Sequence, residues 1–326
     1  MGAGAIGCVV GGLLTEAGQD VTFLDQWPEH VEAMKQRGLR LTGTCGDRLV
    51  RVQALHLYEA QAIQRPFEAV FLSVKGYDTD WAALFAARFL AEPDGYLVVF
   101  QNGLNDERVA RLVGRQRTLG CVITIRAGLY EPGVATRTDA APVGFTVGEL
   151  EGPPTERVQR LVEVLNTVIP SRATPNLAGE RWSKLAVNCL ANPLAGLSGY
   201  STADVLIQPA PRAIAIHIAA EVIRVARAAG HEVEPIFSIE PQRYVDAAEG
   251  GGRAGGGHQA EPRGLQEAAP RQRHAATAVI ASSDWRLRGS GVRRPAPWRS
   301  NSRTTAALTG VGTPRRRPSA TTTPLR

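Results

Sequence analysis

The spacing of apolar residues changes twice along this chain. Up to residue 168 short apolar runs alternate with amphipathic stretches, and from residue 179 the spacing is helical throughout. Past about residue 249 no period persists. In the first part the pattern predicts a helix over 8–17, a short apolar strand over 21–25, a helix over 29–37 and β-structure over 39–55. Residues 69–74 read as a buried strand, because five of the six are apolar. A helix over 80–90 and a strand over 96–100 follow, then strands over 120–125 and 144–147 on either side of Glu131-Pro132-Gly133. An amphipathic helix over 157–168 leads to 170–175, read as a connector. Strands alternating with helices predict an α/β fold with a parallel sheet.

The second part opens with a helix from Arg181 to Gly199. Past Ser183 its polar residues are Lys184, Asn188 and Asn192, spaced i, i+4, i+8. At ~100° per residue these drift by about 80° in all, so they line one face. The residues between them, Leu185, Ala186, Val187, Cys189, Leu190 and Ala191, are apolar all round and predict a buried helix. A second helix over 211–230 repeats Ile214, Ile218, Val222 and Val225 at helical spacing and ends at Gly230. His217 within it reads as a packed or surface histidine. The predicted architecture is a Rossmann-like, doubly wound parallel sheet with its first strand truncated (1–169). An all-helical second domain (170–249) and a disordered basic tail rich in Arg, Gly and Pro (250–326) follow.

Charge supports that division. Residues 251–326 hold 14 arginines against three acids, a net +11, whereas the whole chain carries +6, so the first 250 residues carry −5. The body gives no electrostatic case for nucleic acid, and any such binding would be weak and confined to the tail. With lysine absent and the charge reversed, the tail also reads as the product of a shifted reading frame, a native disordered arm being the competing account. The four cysteines lack a CxxC pair, so neither zinc nor a disulfide framework is expected. No run approaches the ~18 apolar residues of a membrane span, and a cytoplasmic protein is expected.

Candidate chemistry starts at residues 2–7, GAGAIG, a G-x-G-x-x-G string at Gly2, Gly4 and Gly7. Such a turn brings a pyrophosphate close to a helix N-terminus. Asp25 ends the next strand, where an acid meets an adenosine ribose. The string should follow a strand, yet only Met1 precedes it. Either the start site is drawn late or the sheet lacks its middle, and the former is the reading adopted. Lys75 and Asn102 each follow an apolar strand, at the carboxyl edge where open α/β sheets bind ligands.

With these residues in view, the chain resembles the ketopantoate reductases (2-dehydropantoate 2-reductases). The resemblance rests on GAGAIG, Lys75, Gln101-Asn102-Gly103 and residues 184–194, KLAVNCLANPL, and covers about residues 2–245. It implies that Lys184 protonates the keto oxygen of a small 2-oxoacid while a nicotinamide cofactor delivers hydride. It also implies that Asn188 and Asn192 hold the substrate, with Asn102 at substrate and cofactor. Gly2, Gly4, Ala5, Gly7, Lys75 and Ala127 would serve the cofactor. The family uses NADP(H), but Asp25 would repel a 2′-phosphate and favours NAD(H). Thr202 stands where a further asparagine is expected. The family's late serine and its G-R-x-T-E-I-D-like stretch have no counterpart after Glu249. The expected activity is reduction of 2-dehydropantoate to pantoate in pantothenate biosynthesis, with a homodimer admitted. Another 2-oxoacid or opine-type dehydrogenase, or a nucleotide binder without turnover, stays open.

Overall fold

Strand and helix alternate as far as residue 173, and helices alone follow. The computed structural model describes residues 1–250. Its elements are α1 (Ala5–Glu16), β1 (Thr22–Asp25), α2 (Pro28–Arg37), β2 (Leu39–Gly43), β3 (Arg48–Val50), β4 (Gln53–His56), β5 (Ala69–Leu72), α3 (Thr79–Ala87), β6 (Tyr96–Val99), α4 (Asp106–Val113) and β7 (Thr118–Ile123). Then come β8 (Ala127–Glu131), β9 (Val134–Arg137), β10 (Phe145–Gly148), α5 (Glu156–Asn166), β11 (Ser171–Ala173), α6 (Leu177–Ser198), α7 (Thr202–Ile207), α8 (Pro209–Ala228) and α9 (Pro241–Gly250). The tail, its reading frame and the search for a late carboxylate concern residues after 250, outside the described ones.

The largest sheet runs β11-β10-β7-β6-β5. β5, β6 and β7 are parallel, as expected, whereas β10 runs antiparallel to β7. All six residues of β7 are buried, which a strand covered on both faces requires. The segment 170–175, expected as a connector, carries β11, which pairs with β10. β1 and β4 form a separate parallel pair. Among the described residues only Met1 and Gly2 bridge from β1 to β5: Gly2 N donates to Leu24 O (2.9 Å), Met1 N to Phe71 O (3.0 Å) and Ser73 N to Met1 O (2.8 Å).

A third sheet, β3-β2-β9-β8, packs against α1. The β8–β9 hairpin was not predicted, because its strands alternate poorly between apolar and polar residues. Nor was α4, whose eight residues bury only Asp106, Val109 and Ala110. Both elements flank the site described below.

Apolar side chains gather in separate clusters for the two parts. Two line the faces of the sheet, and a third joins α6, α7, α8 and α9 around Leu190, Ile216, Ile223 and Tyr244. In α8 the stripe picked out by spacing faces inward only in part: Ile218 and Val222 pack half-buried against the core. Ile214 and Val225 are exposed, and the buried face is Ala215, Ile216, Ala219, Ala220, Ile223 and Ala226. α6 is buried only as far as Ala191; from Asn192 on, most of it is exposed, Leu197 among the most open side chains. Among the described residues no helix is long and apolar enough to cross a membrane.

Candidate functional site

Two close approaches fix the glycine turn. Gly2 has φ +87°, and a Cβ there would lie 2.8 Å from the backbone nitrogen of Val74. A side chain at Gly7 would strike the carbonyl oxygen of Gly2, so α1 starts tight against the turn. At Gly4, by contrast, a Cβ would meet open space, and this exposed residue caps α1. Ala5 then begins the helix. Asp25, at the end of β1, ties the turn in place: one carboxylate oxygen accepts from Ala3 N (2.6 Å), the other from Trp27 N (2.9 Å). Carboxylate oxygens keep further acceptor capacity, so Asp25 can still take a hydroxyl.

Beneath the turn lies a buried pair that spacing did not disclose. His30 Nδ1 accepts from Gly133 N (2.9 Å), and its Nε2 stands 3.3 Å from Cys8 Sγ. Burial pushes the imidazole below its usual range, against the opposing pull of Asp25 and a hydrogen bond with the Ala3 backbone. Since Nδ1 accepts, the ring is neutral and Nε2 carries the hydrogen.

Along the same edge the Lys75 and Asn102 loops are pinned together. Gln101 Nε2 donates to Val74 O (2.8 Å) and to Thr79 Oγ1 (3.0 Å), and Arg108 reaches Gly76 O (3.1 Å). Lys75 and Asn102 are exposed, and the Asn102 carbonyl accepts from Asn105 Nδ2 (3.0 Å). Val74 abuts Gly2, so the glycine turn and both loops share one rim.

The helical part joins that rim through Arg181. This buried side chain donates to Gln101 O (2.6 Å), Val99 O (2.8 Å) and Asp106 Oδ1 (2.7 Å). Leu177, in the same first turns of α6, fills the space that the absent side chains of Gly120 and Gly148 leave open. Arg181 was overlooked because an arginine opening a helix reads as a solvated end; its signal is an arginine three positions before an internal lysine. Lys184 follows one turn later and is half-buried. Burial first, then the Arg126 guanidinium, push its ammonium below the usual lysine range, while Asp139 pulls the other way. No hydrogen bond or ion pair reaches Lys184 among the described residues, leaving its donors free for a ligand.

Asn188 lies one turn further on, half-buried, and Asn192 is exposed beside Pro193, which stands inside the helix. Arg126 and Asp139 come from the ends of the β8–β9 hairpin. Buried Asp139 accepts from the backbone nitrogens of Arg126 (2.6 Å) and Ala141 (2.9 Å). Ala127, next to Arg126, begins β8, the strand that packs on α1. The arrangement therefore offers a cradle for a dinucleotide and, beyond it, a proton-bearing lysine with amides on successive turns of one helix. Among the described residues no cluster of metal-ligating side chains occurs.

Known proteins are similar to this chain in sequence and in fold. Residues 1–152 match the family described as Ketopantoate reductase PanE/ApbA, and residues 176–251 match its C-terminal counterpart. The chain is 30% identical to the 2-dehydropantoate 2-reductase of Pyrococcus horikoshii over 248 residues, 75% of this chain and 77% of the relative. It is 31% identical to that of Archaeoglobus fulgidus over 244 residues, 73% of this chain and 76% of the relative. The 2-dehydropantoate 2-reductase structure from Geobacter metallireducens superposes with a TM-score of 0.66 at 26% identity, covering 87% of this chain and 98% of its own. A D-mandelate dehydrogenase solved with NADH and anilino(oxo)acetate shares the fold, with a TM-score of 0.65 at 17% identity over 86% of this chain and 96% of its own. By both matched segments and by its archaeal relatives, this chain belongs to the ketopantoate reductase family of NAD(P)-dependent oxidoreductases.

Proposed function

We propose that this protein reduces 2-dehydropantoate to pantoate, residues 1–169 holding the dinucleotide and 170–249 the oxoacid. The observation that carries the reading is Lys184: a half-buried, unpaired ammonium of lowered pKa, one turn from the Arg181 latch to the Asn102 loop. The nicotinamide, when bound, supplies the hydride for the keto carbon. As charge builds on the keto oxygen, Lys184 Nζ gives it a proton, so the alcohol forms and the amine is left neutral. A lysine of lowered pKa is the better acid for this step. Asn188, Asn192 and Asn102 hold the oxoacid by amide hydrogen bonds, and Arg126 adds positive charge that draws an anionic substrate. Lys75 meets a cofactor phosphate, Gly2, Gly4, Ala5 and Gly7 admit the pyrophosphate, and Ala127 borders the nicotinamide. Asp25 accepts from a ribose hydroxyl, which makes NADH the better partner. Free buried thiols at Cys8, Cys45 and Cys121 suit a reducing cytoplasm.

The test is Lys184→Ala in the full chain, followed by the ketopantoate-dependent loss of NADH absorbance. Here kcat should fall by about 10²–10⁴-fold with little change in cofactor affinity. In the parent, kcat should decline as pH rises, below the ordinary lysine range. Retained activity within about threefold removes Lys184 from the acid role. A parent chain that binds NADH yet turns over no ketopantoate overturns the activity itself.

A further inference from the structure

Two cations from different elements meet at the rim with no anion between them. β5, β6 and β7 are parallel neighbours, and a polar residue stands three places past the end of each: Lys75 past Leu72, Asn102 past Val99 and Arg126 past Ile123. All three therefore lie at the carboxyl edge, where open α/β sheets take ligands. α6 packs on β7, and Arg181 fastens it to the carbonyls of Val99 and Gln101, which brings Lys184 to the same edge. There the Arg126 guanidinium is close enough to push the Lys184 ammonium below its usual range. Arg126 is exposed, and among the described residues its guanidinium has no hydrogen bond and no ion pair. The carboxylate that offsets the two, Asp139, is already spent. It accepts from Arg126 N (2.6 Å) and Ala141 N (2.9 Å) and faces the Arg137 guanidinium at 3.4 Å. That grip fixes the peptide from which the Arg126 side chain springs. Like charges held together repel, and an anion placed between them removes the cost.

The geometry points to Arg126 as the specificity residue for the substrate's carboxylate, which its guanidinium grips while Lys184 serves the neighbouring keto oxygen. This assignment rests on the oxoacid reading above. In a 2-oxoacid the carboxylate carbon is bonded to the keto carbon, so the groups that bind the two must be neighbours. A planar guanidinium matches both carboxylate oxygens at once, whereas an ammonium is a point charge suited to one oxygen. The carboxylate keeps its charge throughout hydride transfer, so Arg126 holds substrate and transition state alike. Such uniform binding lowers KM and leaves kcat unchanged.

The probe is oxamate, a carboxylate bonded to an amide carbonyl, titrated by calorimetry into the full chain with NADH present. Arg126→Gln keeps the backbone nitrogen that Asp139 holds. It should bind oxamate about 10–100-fold more weakly than the parent, the scale of a hydrogen bond to a charged group. Arg126→Lys, with the charge but not the fork, should fall between the two. NADH affinity should not change. With ketopantoate as substrate KM should rise by a similar factor and kcat should hold, the opposite of Lys184→Ala. Equal oxamate binding by the parent and Arg126→Gln overturns the assignment, as does no binding by the parent. A matching loss of NADH affinity also overturns it, because the guanidinium then serves a cofactor phosphate. Oxamate binding that depends on Arg126, in a parent that turns over no ketopantoate, keeps the carboxylate site and ends only the reductase reading.

Discussion

In one helix of each, α5 and α8, the sheet part and the helical part close their cores with different side chains. In the first, α5 buries Val158, Leu161, Val162 and Leu165 and packs on β10 and β11. In the second, α8 turns four alanines with Ile216 and Ile223 towards α6 and α9, and leaves Ile214 and Val225 in solvent. On the same sheet α3 packs against β5 and β6 with small residues, Thr79, Ala82, Ala83 and Ala86, so the long side chains of α5 answer its own distance from β10 and β11. Helices packed on one another approach as closely as their contact residues allow, and alanine allows the most. The division extends to chemistry. In the site proposed above the sheet part would offer mostly backbone and the absence of side chains, at Gly2, Gly4 and Gly7, whereas α6 would offer side-chain donors at Lys184 and Asn188.

Arg181 is where these two economies meet, and removing it should give the largest loss of stability. Arg181→Met keeps most of the aliphatic stem but leaves Asp106 buried with its charge uncompensated and two strand-end carbonyls unpaired. The expected cost is about 3–5 kcal/mol by denaturant titration. A loss under about 1 kcal/mol would mean that the two parts hold together without this latch.

The packing contrast can be broken in α8 itself. Ala219 is fully buried, so Ala219→Leu should overpack the helical core and cost about 1–3 kcal/mol. Ile214→Ser, a harsher change in polarity, should stay within about 0.5 kcal/mol because the side chain is already in water. The reverse ranking would show that the larger residues, not the alanines, face inward.

That inversion also marks what the sequence could disclose. The apolar runs 96–100 and 69–74 do carry strands, β6 and β5, but β5 was expected to be buried and three of its four residues are only half-buried. The place of the glycine turn at the start of α1 and of Lys184, half-buried on α6, was legible because each sets an expensive residue type in a regular spacing. Ala219 and Ala220 were not legible, since alanine is neutral in a hydrophobic pattern and only a neighbouring helix reveals its face. Arg126, Asp139 and Arg181 were missed because what makes each a site residue is a partner 13 to 82 positions away. No local spacing encodes such partners.

Cofactor choice tests the sheet part alone. If Asp25 accepts from a ribose hydroxyl, NADH should bind about tenfold more tightly than NADPH, about 1.4 kcal/mol, in a fluorescence titration. Asp25→Asn should narrow that gap while still accepting from Ala3 N. NADPH binding tenfold more tightly than NADH, about 1.4 kcal/mol in the other direction, would mean that another residue answers the 2′-phosphate and that Asp25 only shapes the turn.

The smallest effect expected separates the two parts by pH. The sheet part holds a buried imidazole, His30, beneath the glycine turn, whereas His217 in α8 is exposed. Burial is the chief cause of the lowered pKa at His30, so folding favours the neutral ring. Below the ordinary histidine range, about pH 6.5, the unfolded chain therefore binds a proton that the folded one resists. The stabilisation is complete above that range and is lost as pH falls through it towards the folded value. Denaturant titrations at about pH 7.5 and about pH 5.5 span this window. The parent should lose stability between them, and His30→Gln, which can still accept from Gly133 N, should lose less. Parallel slopes for the parent and His30→Gln would place the acid sensitivity elsewhere and would make the imidazole beneath the turn a packing group only.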